Sequence, residues 1–258
     1  MSYFINFYNC RHIIINMAKQ DFKNKYRNSI LGMAWSFLSP LGLVLVIGTV
    51  YSLVFKVPSK EFIPYVFSGI MPWTFISSVA DISTVAFINS QGYIKQTQVP
   101  IEIFPARFVI GLFINLLISL LAYFLIYMII APEKFSLNML MVLPSLFILL
   151  IFAIGWANIV SIVNLYIRHY QPLQSIVFQA LFYATPILYK VDMIPKEYEI
   201  IYNINPFFYM MEILRQPLLG NKILENSYFI IAASFSFITF ILSILIIKRV
   251  GRNIAFKL

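Results

Sequence analysis

Six uncharged, apolar runs dominate the chain, at residues 37–55, 62–80, 108–132, 135–167, 169–189 and 226–247. Each has room for the roughly 20 residues a helix needs to cross the hydrocarbon of a bilayer, so the pattern predicts six membrane spans. Asp81 interrupts the second run, which otherwise continues to about Ile88, and Pro40, Pro64, Pro72 and Pro144 fall in or near predicted helix ends. The first 36 residues do not read as a secretory signal. Their apolar core around Ile13, Ile14 and Ile15 is short and broken by polar residues, and no small-residue cleavage site follows, so the segment is expected to be retained. From Ala18 onward Phe22, Tyr26 and Ile30 recur every four residues, with Lys19, Lys23 and Arg27 in a row one residue over. That spacing predicts an amphipathic helix in the membrane interface, rings in the acyl boundary and cations among anionic head groups. A solvated basic arm is the alternative.

Two polar stretches interrupt the apolar pattern. The first, 89–107, carries Lys95, Glu102 and Arg107 and is punctuated by Pro100 and Pro105, which resist continuing a membrane helix through it. The second, 190–225, is the longest segment outside the predicted spans. In it Asn205 suits an N-cap, Pro206 the first helical position and Gly220 a stop, which frames a short helix. Phe207, Met211, Leu214 and Leu218 share one face of that helix, with Glu212 and Arg215 opposite. It is too short to span, so it is expected to dip into the outer leaflet or cap the bundle, as a gate or as a structural plug.

Composition agrees with a polytopic, all-α membrane protein: 60% of residues are hydrophobic, 11% are charged and the mean hydropathy is +0.83. One membrane domain over 1–258 is expected, with an N-terminal segment 1–36, a bundle 37–248 and a tail 249–258. An even number of spans puts both termini on one side. Segments on that side hold twelve Lys and Arg against Asp21 and Glu102, whereas the other side holds seven against seven acids. Short basic loops stay in the cytoplasm, so both termini and the 89–107 stretch are predicted to be cytoplasmic. The net charge of +9 then serves orientation and lipid contact, and no nucleic-acid motif accompanies it. Cys10 is the single cysteine, and His12 and His169 are isolated, so neither an internal disulfide nor a metal site is expected.

The chemistry is sparse. None of the nine glycines is followed by lysine, so the chain carries no phosphate-binding Gly-x-x-x-x-Gly-Lys loop, and neither a Gly-x-Ser-x-Gly elbow nor a His-Glu-x-x-His pair occurs. Asp192, Glu197 and Glu199 form a carboxylate cluster that would suit glycosyl transfer, but beside Lys190 and Lys196 they read more simply as a solvated loop. Asp81 is the one carboxylate within a predicted span and a functional candidate on that ground. Its position near the cytoplasmic end also allows contact with water or pairing with a cation such as Arg107. Phe178, Phe182, Thr185 and Tyr189 align on one face of the fifth predicted span, as do Tyr51 and Phe55 on the first. Such ring faces suit a saccharide sliding through a groove; packing between helices or against lipid is the alternative.

Lys23, Lys25, Tyr26, Arg27, Ser29, Leu31, Gly32, Trp35, Leu38 and Pro40 follow a pattern that resembles the permease subunits of type-2 ATP-binding-cassette polysaccharide exporters. Further matches come in order: Tyr65, Phe67, Ser68, Gly69, Ile70, Met71, Pro72, Trp73 and Phe75; Ile94 and Lys95 with Pro100, Glu102, Ile103 and Pro105; Thr185, Pro186, Ile187 and Tyr189; and Asn205 and Pro206 followed by Arg215. The resemblance implies the membrane half of an ATP-driven exporter. Two copies would enclose a path for a lipid-linked, O-antigen-like polysaccharide in the bacterial inner membrane, and two copies of a separate ATPase would bind ATP and magnesium. It also implies roles by segment. Residues 19–31 form the interfacial helix, with Lys19, Phe22, Lys23, Tyr26 and Arg27. Gln91, Gly92, Tyr93, Ile94, Lys95, Gln96, Thr97 and Gln98 form a coupling helix that the ATPase grips. Residues 186–218 form re-entrant helices that close the exit, with Asn205, Pro206, Phe207, Met211 and Arg215 as the gate. Tyr51, Phe55, Phe178, Phe182 and Tyr189 are candidates for the path. Gln96 stands where the family often has a second basic residue, and His169 where an acid commonly follows the cytoplasmic arginine. Export of teichoic acid, capsule or a lipophilic small molecule shares this layout, and a secondary transporter or channel is the reading from a different class.

Overall fold

Hydrocarbon offers no hydrogen-bond partners, so a chain this apolar satisfies its backbone internally, and helices do that within one segment. In a computed structural model, which describes residues 2–27, 31–220 and 225–258, every regular element among the described residues is helical. Five helices are long and apolar enough to cross a membrane: α3 (Trp35–Phe55), α4 (Ser59–Ser83), α6 (Ile103–Ile130), α7 (Val142–Tyr166) and α11 (Asn226–Lys257). Around them lie α1 (Ser2–Asn9), α2 (Arg11–Tyr26), α5 (Gln91–Gln96), α8 (Tyr170–Ala184), α9 (Glu199–Asn203) and α10 (Pro206–Leu218).

Several boundaries differ from the sequence expectation, each for a local reason. α8 has 15 residues, about 22 Å of helix against a hydrocarbon core of about 30 Å. Pro186 ends it by forcing Thr185 into an extended conformation, φ −99° and ψ 134°. Pro105 does not interrupt α6 but lies in its first turn, where a missing N–H costs nothing. α11 runs on to Lys257 through residues expected to be tail. α2 starts and stops earlier than the aromatic repeat suggested; Ile30 and the side chain of Tyr26 lie outside the described residues.

α4 is the centre of the bundle. It packs against α3, α6, α7, α8 and α10, and its first half from Phe62 to Trp73 is buried without a break. α7 and α11 make the closest long pairing: a Cβ on Gly155 would sit 2.8 Å from the Phe240 backbone, so glycine is what lets these helices touch. A second, smaller core gathers Tyr3, Ile14, Ile94, Ile103, Phe104, Ile162 and Ile254, which brings α1, α2, α5 and the last turns of α11 to one end of the bundle. α10 occupies the opposite end.

Candidate functional site

α5 is held from behind. Its Ile94 is buried in the second core, and Gln91 Nε2 donates to the Leu258 carbonyl oxygen at the end of α11. The same geometry leaves Gly92, Tyr93, Lys95, Gln96, Thr97 and Gln98 exposed, Tyr93 with 53% of its surface free. Thr97 ends the helix by turning extended, φ −129° and ψ 151°. The result is a short ridge with an anchored back and an exposed polar and aromatic front.

Beside it, α1 and α2 are fastened to the root of α6. Asn6 Nδ2 donates to Glu102 Oε1 over 3.0 Å, and Asp21 Oδ2 lies 3.3 Å from Arg107 Nε. Asn158 Nδ2 donates to the Tyr3 hydroxyl over 3.1 Å, and burial pushes that hydroxyl up to about 12, so it stays protonated. Ile14 and Ala18 are the buried face of α2, Phe22 is half-buried, and Lys19, Lys23 and Arg27 are exposed. Arg107 is therefore taken by Asp21. Asp81, for which Arg107 was the suggested partner, instead accepts from Ser175 Oγ on α8 at 2.8 Å.

At the opposite end α10 is buried along most of its length. Its start follows the sequence: the Asn205 side chain accepts from the Phe207 N–H at 3.0 Å, Pro206 opens the helix, and Gly220 follows its end with φ +69°. Asn205 Nδ2 also donates to Thr185 Oγ1 over 2.8 Å, which ties the start of α10 to the end of α8. Phe207 reaches the bundle centre, 5.5 to 6.2 Å from the rings of Phe178, Phe152, Phe235 and Trp73. Hydroxyls satisfy carbonyls along α10: Tyr123 donates to Leu218 at 2.7 Å, Tyr127 to Leu219 at 2.9 Å, and Ser145 to Ile213.

The expected polar face of α10 is not solvated. Glu212 and Arg215 are as buried as Met211 and Leu214, because their face meets α4 and the 186–189 turn instead of water. Arg215 Nη1 donates to Glu212 Oε1 at 2.7 Å, to the Pro186 carbonyl at 2.7 Å and to the Tyr65 hydroxyl at 3.1 Å, and Nη2 reaches the Ile187 carbonyl at 3.3 Å. The guanidinium also lies over the Tyr65 ring, 4.4 Å from its centroid. Gln216 Nε2 covers the second Glu212 oxygen at 2.6 Å, and Tyr65 donates to the Tyr189 carbonyl at 2.8 Å. Gly69 makes room for this arrangement, since a Cβ there would overlap Arg215 Nη2. Above it opens a polar cavity of about 340 Å³ lined by Lys60, Glu61, Lys190 and Asp192; Glu197 and Glu199 stand apart from it. Spacing alone did not reveal the Arg215 network. In the sequence, Arg215 is marked by the family resemblance and by sharing a mostly apolar helix with Glu212.

The aromatic candidates divide. Phe178 and Phe182 border a cavity of about 330 Å³ between α4 and α8 and approach Trp73 at 6.0 and 5.9 Å. The Tyr51 and Phe55 rings meet at a tilt 5.7 Å apart, and Phe55 meets Phe62 at 5.8 Å, near the far end of α3 and away from that cavity. Tyr189 donates to the Tyr183 carbonyl at 2.8 Å and lies in the turn that Arg215 and Tyr65 hold.

The chain matches the family model of ABC-2 type transporters over residues 13–219. It is 30% identical over 247 residues to an O-antigen export system permease protein of Klebsiella pneumoniae, covering 94% of this chain and 93% of that one. It is 26% identical to the corresponding permease protein of Myxococcus xanthus over 74% and 73% of the two chains. A polysialic acid transport protein of Escherichia coli is 23% identical over 85% and 86%.

Proposed function

From the premise that the chain belongs to the ABC-2 type transporter family, we propose that it is the membrane-spanning half of an ATP-driven polysaccharide exporter. Two copies enclose a path for a lipid-linked, O-antigen-like glycan across the bacterial inner membrane. ATP and magnesium belong to a separate ATPase, two copies of which grip α5. Tyr93, Lys95, Gln96 and Gln98 are the gripped face, and Lys19, Lys23 and Arg27 lie beside it against anionic lipid.

The observation that carries this reading is the ridge at α5. A chain with no phosphate loop of its own presents an exposed aromatic and a cation on a helix whose other side is bound to both ends of the chain. A push on that ridge moves α4 and α6, to which it is joined on either side, and so reaches the path. Six crossings fit the connectivity. α5 and the end of α11 share one end of the bundle, and α8 extended by residues 185–189 supplies the crossing that five long helices leave missing. α9 and α10 then dip in from the outer side, with Asn205, Pro206, Phe207, Met211 and Arg215 closing the exit. The cytoplasmic placement of both termini rests on the charge asymmetry of the loops.

The test is co-purification with the companion ATPase and glycan-stimulated ATP hydrolysis in proteoliposomes. Tyr93→Glu is expected to abolish stimulation and export while leaving insertion intact. Full export by that variant would overturn the role given to α5.

A further inference from the structure

α4 is the most buried of the five long helices, yet in its half toward α5 it leaves a strip uncovered: Thr74 is exposed, and Ser77, Ser78 and Asp81 are half-exposed. All four are polar, and they recur at helical spacing on one face. Cavities flank the strip on both sides. One of about 400 Å³ lies between α3, α4 and α6 and takes in Thr74 and Ser78 together with Asn115, whose buried Oδ1 has no partner. The other, of about 330 Å³, takes in Ser77 and Asp81 with Ser175 and Gln179 of α8. Lipid tails cannot satisfy such a surface.

The charge of this surface is one-sided. Among the described residues lining the two cavities there is one carboxylate, Asp81, and no lysine, arginine or histidine. Among the described residues its side chain accepts from the Ser175 hydroxyl, a neutral donor, and no cation pairs with it, so the carboxylate has lone pairs to spare. Hydroxyl groups are the donors that such a wall accepts, and a carboxylate on the cargo is what it repels in a site of reduced dielectric.

We infer that this strip is the selectivity segment of the path and that it admits neutral, hydroxyl-rich saccharide in preference to polyanionic saccharide. The inference rests on the exporter reading above and narrows it to one substrate class. Asp81 and Gln179 accept sugar hydroxyls as each residue of the glycan passes, and the two aromatic borders at Trp73 and Phe178 keep the ring faces apolar. Asp81 sets the sign of the discrimination.

The experiment uses the full chain with its companion ATPase in cells supplied with either a neutral lipid-linked glycan or the same glycan carrying a uronic acid in each repeat. The wild type is expected to export the neutral glycan about tenfold or more better, Asp81→Asn to reduce that ratio severalfold, and Asp81→Lys to invert it. A ratio unchanged by Asp81→Asn and Asp81→Lys overturns the inference and leaves the exporter reading standing. Export of neither glycan by the wild type removes the exporter reading and the inference with it. A second measurement covers variants that fail to export. In a Cys10→Ser background, Ser77→Cys and Gln179→Cys should react with a membrane-impermeant maleimide in inverted vesicles, whereas Leu121→Cys on the exposed side of α6 should not. Equal protection of positions 77, 179 and 121 would place the strip in lipid and overturn the inference.

Discussion

Each end of the bundle holds one arginine paired with a carboxylate, and the two pairs are built in opposite ways. Arg215 has no exposed side-chain surface, lies 2.7 Å from Glu212 and shares its protons among two carbonyls and a tyrosine. Arg107 lies 3.3 Å from an Asp21 side chain that is 39% exposed. Breaking a buried pair from one side leaves a charge with no solvent, at a cost of about 3–5 kcal/mol. A partly exposed pair is worth about 0–1 kcal/mol. The α10 end is thus a fixed frame, in which α10 moves only with the wall that holds it. The α5 end is an adjustable seat.

The contrast is tested most severely by Arg215→Ala. It should lower stability by about 3–5 kcal/mol in thermal unfolding of the detergent-solubilised protein, and adding Glu212→Gln should restore part of that. A loss no larger than that of Arg107→Ala would erase the distinction between the ends. Ile94→Ala removes a buried side chain from behind α5 and should cost about 2–5 kcal/mol, read by the same melt; a neutral outcome would mean that α5 is not anchored by the second core. Gly69→Ala displaces the Arg215 guanidinium without touching its charge. An expected loss of about 1–3 kcal/mol would separate packing from pairing at that end. Asp21→Asn should cost less than about 1 kcal/mol, shrinking further in high salt. Smallest in stability and largest in function is Tyr93→Glu, within about 0.5 kcal/mol of the wild type in the melt but unable to stimulate the ATPase.

Much of this frame was legible in the chain. Apolar run lengths located the five long helices, and Asn205, Pro206 and Gly220 marked α10 because capping is a local matter of three or four residues. Hydrophobic periodicity reports which face of a helix is polar but not what that face meets. Glu212 and Arg215 do lie opposite the apolar face, but what Arg215 meets there is Tyr65, some 150 positions earlier in sequence. Asp81 shows the same limit. Its depth was readable, but the choice between Arg107 and Ser175 depends on where α8 lies, and α8 touches little besides α4 and α7. The length of α8 was overestimated because an uncharged run does not reveal that Pro186 and Arg215 together hold residues 185–189 out of the helix.

Pro72 falls between the part of α4 that meets Arg215 through Tyr65 and Gly69 and the part that carries Ser77 and Asp81. Having no N–H, it deprives the Ser68 carbonyl of its helical donor, and helices bend where that ladder is interrupted. Residue 72 thus divides α4 into a segment clamped by Arg215 and a segment that runs on toward α5. On the proposed exporter reading, a stroke applied at α5 would turn the inner segment about residue 72 and leave the clamp at Arg215 in place.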